Sequence, residues 1–181
     1  MVELIDVEFN KGIKLENGLV RMPDSFISSY KSFVESGWFS VVGQKQFGGQ
    51  NFPWSVLVCI NEIWESANMS FAVNNMLTQG AIELIQEHGN ENQKNLYLPN
   101  LISGKYSGTM NLTEPHAGSD LSDLKTKADI KNGKYIIKGT KIYITHGDQD
   151  MSDNIIHMVL AKLPDAPQGN RGISLFLVPK Y

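Results

Sequence analysis

The residues best suited to chemistry lie in two segments, Met110-Asn111-Leu112-Thr113-Glu114-Pro115-His116-Ala117-Gly118-Ser119-Asp120 and Lys141-Ile142-Tyr143-Ile144-Thr145. Pro115 cannot donate to a sheet ladder, so a strand that reaches Thr113 must leave its sheet there. Ala117, Gly118 and Ser119 are small, and small residues let a flat or phosphorylated ligand come close to the backbone. Backbone N–H groups in such a turn can meet anionic oxygens. The same residues also suit an ordinary tight turn capped by Ser119 or Asp120, and spacing alone favours that turn. Tyr143 sits among β-branched residues, a pattern that usually packs in a core. The chemical alternative is offset stacking of Tyr143 on a planar ring, with the Thr145 hydroxyl donating to a ring heteroatom.

Composition narrows the rest. The chain has 181 residues, 41% hydrophobic and 19% charged, with a formal net charge of −3. These are values of an ordinary globular protein, and no basic run marks a nucleic-acid binder. There is no basic, apolar leader at Met1 and no apolar stretch long enough to span a membrane, so a cytoplasmic, reducing location is expected. The single cysteine, Cys59, excludes an internal disulfide. Its apolar neighbours predict a buried structural thiol. His88, His116, His146 and His157 lack paired metal-ligand spacing. The acidic run His146 to Asp153 lacks the glycine and terminal glutamate of a calcium loop and reads as a solvated turn between strands.

The elements that must position these residues fall in two halves. The first twenty residues read as an extended lead-in. A first helix starts near Pro23-Asp24-Ser25 and stops at Gly37. A second carries Trp54, Leu57, Val58, Ile60, Ile63 and Trp64, apolar over most of its surface, so burial on several sides is expected. A third spans Phe71 to His88 with Met76, Leu77, Ile82 and Ile85 inward, and Gly89 ends it. Asn90 and Gln93 form a capping box for a fourth, which Pro99 should kink or interrupt. From Tyr106 the pattern turns to strands. Asn132-Gly133 is a hairpin turn between Leu124–Ile130 and Tyr135–Lys138. Further strands are predicted over Thr140–Thr145, Asn154–Leu163 and Gly172–Val178. The class is therefore an all-α domain over residues 1–105, then an incomplete β-barrel or sandwich over 106–181.

Taken together, the motifs resemble the acyl-CoA dehydrogenase family along nearly the whole chain. Thr113-Glu114-Pro115 through Ala117-Gly118-Ser119-Asp120 is similar to its T-E-P-x-A-G-S-D segment, and Tyr143-Ile144-Thr145 to its aromatic-Ile-Thr segment. Phe47-Gly48-Gly49, Thr78-Gln79-Gly80, His88-Gly89, Glu91-Asn92-Gln93-Lys94, Ser103-Gly104-Lys105, Gly139-Thr140-Lys141-Ile142 and Arg171-Gly172-Ile173 continue the likeness in order. Trp38-Phe39, Ser66-Ala67-Asn68-Met69 and Leu163-Pro164-Asp165 look like a larger bacterial branch, which includes long-chain acyl-CoA and 3-methylmercaptopropionyl-CoA dehydrogenases.

The resemblance implies FAD as cofactor, an acyl-CoA thioester as substrate and a place in fatty-acid β-oxidation or related catabolism. Leu112 and Thr113 would contact the flavin ring, and Tyr143, Ile144 and Thr145 its other edge. Gly118 would let the pantetheine arm pass. Ser119 would bond either that arm or the FAD pyrophosphate region. Tyr143 departs from the Trp or Phe of many members. His116 replaces a common Gly, and either touches substrate or forms the turn at the cleft rim. In the family a carboxylate base takes the α-proton while the β-hydrogen leaves as hydride to the flavin. That base lies in a C-terminal helical domain, which is expected to be missing from this sequence, and Glu114 reads as structural. The expected acceptor is an electron-transfer flavoprotein, and the full-length form is expected to be a homo-oligomer. The alternative is a non-catalytic acyl-CoA-binding or docking partner of a complete homologue.

Overall fold

The computed structural model describes residues 12–181. The extended lead-in expected over the first twenty residues lies outside the described residues up to position 11. Beyond it, β1 (Lys14–Glu16) and β2 (Leu19–Arg21) form a small antiparallel hairpin. Asn17 and Gly18 turn it with φ of 53° and 77°, a conformation both residues tolerate.

Four helices follow. α1 (Asp24–Glu35) starts after Pro23 and ends before Gly37, whose φ of 75° suits a left-handed cap. α2 (Trp54–Ala67) leads by a single residue, Asn68, into α3 (Met69–His88). The Asn68 side chain caps α3 by accepting from the Phe71 N–H at 2.9 Å. α4 (Glu91–Ile102) opens on the expected Asn90–Gln93 capping box, with both reciprocal bonds at 2.9 Å. Of the kink or interruption expected at Pro99, the interruption is absent, since α4 runs on through it. Three expectations of burial fail. α2 buries only Leu57 fully, so Val58 and Ile63 lie open and Cys59 is exposed rather than buried. Met76 also faces outward, whereas Ile82 and Ile85 are buried as expected. An all-round apolar pattern shows what a helix can bury, not how many neighbours it has.

The second half is one mixed sheet. β6 (Asn154–Lys162) is its centre, pairing parallel to β3 (Tyr106–Asn111) and antiparallel to β7 (Ile173–Pro179). β4 (Lys127–Lys131) and β5 (Lys134–Lys138) form the predicted hairpin about Asn132-Gly133, and Lys127 of β4 meets Lys162 of β6. Helices followed by strands are the expected class. The strand predicted over Thr140–Thr145 is absent: the segment is irregular, and Tyr143 has a φ of 57°. Residues 146–153 are less solvated than expected, since Gln149 and Met151 are buried.

The main core joins the halves. Ala81, Ile82, Ile85, Leu98, Leu101 and Ile102 of α3 and α4 pack on Ile156 and Met158 of β6. Gly108 of β3 lies so near α3 that a Cβ there would stand 2.4 Å from the Ala81 Cβ. Its N–H donates to the Thr78 hydroxyl at 3.1 Å.

Candidate functional site

β3 ends at Asn111, and Leu112 and Thr113 carry the chain out of the sheet. Glu114 and Ala117 then close a four-residue turn, with the Glu114 N–H on the Ala117 carbonyl at 2.8 Å and the reverse bond at 3.1 Å. Pro115 suits the second position of that turn because its φ is already set. His116 is a turn residue here, its Nε2 3.2 Å from the Glu114 carboxylate.

That carboxylate is the hub of the region. Glu114 is 3% exposed. Its Oε1 accepts from the Thr126 N–H at 3.0 Å, the Thr126 hydroxyl and the Lys141 Nζ at 2.9 Å. Its Oε2 accepts from the Lys125 N–H at 2.8 Å. Burial works against the charge, but bonds from Thr126, Lys125 and Lys141 outweigh it and hold the carboxyl at about 2. Both Glu114 oxygens are thus tied to the backbone and side chains around them.

The second segment returns across the first. Gly139 lies against Thr126, where a Cβ would stand 2.2 Å from the hydroxyl oxygen. Lys141 reaches the Leu112 carbonyl at 2.9 Å as well as Glu114, and the Ile142 N–H donates to the Thr113 carbonyl at 3.0 Å. Tyr143 then swings out, 89% exposed. The chain turns back with the Gly147 N–H on the Ile144 carbonyl at 3.0 Å. His146 Nε2 lies 2.9 Å from the Ser70 carbonyl of α3, so that nitrogen carries the proton. Burial pushes the His146 pKa down, and the Ser70 carbonyl only partly restores it.

Leu112 and Thr113 are thus bonded to Lys141 and Ile142, while Gly118, Ser119 and Asp120 form an exposed turn in which Asp120 accepts from the Ser122 N–H at 2.9 Å. Ile144 and Thr145 also line a cavity of about 660 Å³. Val20, Met22, Phe26, Ser70 and Val73 form much of its wall, and Asp148 sits on it, paired with Lys180. Leu112, Thr113, Gly118, Ser119 and Tyr143 are outside that lining. Residue type and spacing assign no role to Lys141, Thr126 or the cavity residues other than Ile144 and Thr145. A lysine inside a β-branched run was the one available hint of Lys141's burial.

The donor set suits a flat ligand bearing anionic groups. Among the described residues, the hydroxyls of Thr113, Ser119 and Thr145 bond to no protein group. Gly118 has no packing need to be glycine: a Cβ there would meet nothing nearer than Thr113 Cγ2 at 3.8 Å, so its bareness leaves room beside Thr113. The Tyr143 ring offers an open face.

Residues 16–105 match the model of the acyl-CoA dehydrogenase N-terminal domain, and residues 109–181 that of the acyl-CoA dehydrogenase middle domain. The 3-methylmercaptopropionyl-CoA dehydrogenase of Ruegeria pomeroyi is 49% identical over 171 residues, which are 94% of this chain and 29% of that protein. An acyl-CoA dehydrogenase from Geobacillus kaustophilus superposes with a TM-score of 0.71 at 31% identity, covering 88% of this chain and 40% of that one. An acyl-CoA dehydrogenase complexed with FAD from Bacillus anthracis gives 0.74 at 25% identity, over 99% of this chain and 28% of that one. The chain thus spans less than half the length of each of these relatives. With both halves matched in order, the chain belongs to the acyl-CoA dehydrogenase family.

Proposed function

We propose that this chain forms the N-terminal helical domain, residues 1–105, and part of the β domain, residues 106–181, of an FAD-dependent acyl-CoA dehydrogenase. The reaction is α,β-dehydrogenation of an acyl-CoA thioester, with an electron-transfer flavoprotein as acceptor and a homo-oligomer as the working form. Leu112, Thr113, Gly118, Ser119, Tyr143, Ile144 and Thr145 hold the cofactor. When bound, FAD supplies the hydride-accepting ring. Thr113 and Thr145 orient it through their hydroxyls, Tyr143 covers its face, and the unbonded turn at Gly118 and Ser119 takes anionic oxygens. Ser119 and His116 border the thioester's path, and the apolar cavity beside Ile144 and Thr145 receives the acyl chain.

The observation that carries this reading is the bond from Ile142 N–H to the Thr113 carbonyl, which sets the two threonine-bearing segments side by side. Glu114 is buried in donors and Asp148 is paired with Lys180, so neither is free to take an α-proton. The base is proposed to lie outside these residues, and this chain alone is expected to turn over no substrate. FAD titrated into the purified chain should lose fluorescence on binding. One lost hydrogen bond of about 0.5–1.5 kcal/mol means that Thr113→Val or Thr145→Val should weaken binding roughly 2- to 10-fold. Removing the ring with Tyr143→Ala should cost a similar factor and leave the melting temperature unchanged. An undetectable flavin interaction at millimolar FAD would refute the reading.

The second reading is a non-catalytic acyl-CoA-binding or docking partner. The open apolar residues Trp54, Val58 and Ile63 on α2 favour it. Size exclusion with a complete homologue separates the two: a stable complex of fixed stoichiometry supports the partner, and its absence supports the dehydrogenase part.

A further inference from the structure

Three successive acceptors on the first segment are taken by two successive residues of the second. Lys141 Nζ bonds the Leu112 carbonyl and Glu114 Oε1, both at 2.9 Å, and the Ile142 N–H bonds the Thr113 carbonyl at 3.0 Å. Thr113 is therefore held on both sides, while its own hydroxyl makes no protein bond among the described residues. The pair is almost dry, with side-chain exposures of 9% for Lys141 and 2% for Glu114. It is anchored from behind: Thr126 donates twice to Glu114, and Gly139 presses against Thr126. Tyr143 leaves this stitch directly, in the left-handed backbone that sends its ring into solvent.

We propose that Glu114 and Lys141 are positioning residues for the cofactor edge: their buried ion pair fixes the distance and register between Thr113 and Tyr143–Thr145. The inference rests on the flavin reading above and assigns a role to residues that do not themselves touch the ligand. A lone buried charge is costly, whereas a neutral pair of similar volume is tolerated. The ammonium also bonds a backbone carbonyl next to Thr113, which no neutral apolar replacement can do. Loss of the pair should therefore act on geometry more than on folding.

The test compares affinity with stability in the 181-residue chain. Lys141→Met alone strands the Glu114 carboxylate and is expected to melt early. Glu114→Gln/Lys141→Met removes both charges and is the deciding variant. FAD affinity is read by fluorescence quenching, the ring's setting by visible circular dichroism of the bound flavin, and the fold by thermal melting. The expected result is a double variant that still unfolds cooperatively, within about 10 degrees of the parent, binds FAD at least tenfold more weakly and has an altered dichroic band. Parental affinity and an unchanged band in the double variant overturn the inference. So does a double variant that fails to fold, because the pair would then hold the fold and not the edge. If the parent itself binds no FAD, the flavin reading fails instead, so the two failures are distinguishable.

Discussion

Glu114 carries its charge almost out of reach of water, and acid should expose that. Its folded pKa of about 2 lies below the ordinary 4.5. The charged form therefore favours the fold above pH 4.5, and the contribution is lost as pH falls from 4.5 through about 2. A shift of that size is worth about 3 kcal/mol. Glu114→Gln should be less stable than the parent at pH 7, and the gap should narrow steadily toward pH 2.5. Denaturant midpoints across that range measure it; a constant gap would show that the carboxyl has the same pKa folded and unfolded. At the same scale, residue type proposes Thr113, Ser119 and Tyr143 as candidates but not Lys141. Its partner is a backbone carbonyl remote in sequence, and no local pattern announces such a bond.

At the scale of elements, the closest approach is between α3 and β3 at Gly108. Gly108→Ala would drive its methyl into Ala81 and toward the Thr78 backbone. Overpacking of this kind typically costs about 1–3 kcal/mol, so a lower denaturation midpoint is expected, with the slope unchanged. An unaltered midpoint would contradict the packing described. Elements with local chemical signatures were legible: the Asn90–Gln93 capping box and the Asn132-Gly133 turn stand where their residues demanded. The Thr140–Thr145 segment was misread because Ile142, Tyr143 and Ile144 are strand formers by type. What decides their conformation is the tertiary stitch to Leu112, Thr113 and Glu114. Periodicity likewise identified α2 but not its exposed face, since the number of neighbours is a property of the fold.

For the molecule as a whole, α2 is the least covered helix, and its exposed thiol reports on that. Cys59 should react with an aromatic disulfide reagent in the native chain nearly as fast as in denaturant. A thiol that needs denaturant would place another surface over α2. The sheet has a different asymmetry. β6 is the strand that β3, β4 and β7 all need, yet β3, β4 and β5 precede it in the chain. A ribosome therefore releases β3 and β4 before the strand that both pair with is made, while the β4–β5 hairpin and the pair α3 and α4 already have partners. The helical half can condense during synthesis, and β3 must wait with an open edge, which is where chaperones or unwanted strand pairing would act on the newborn polypeptide.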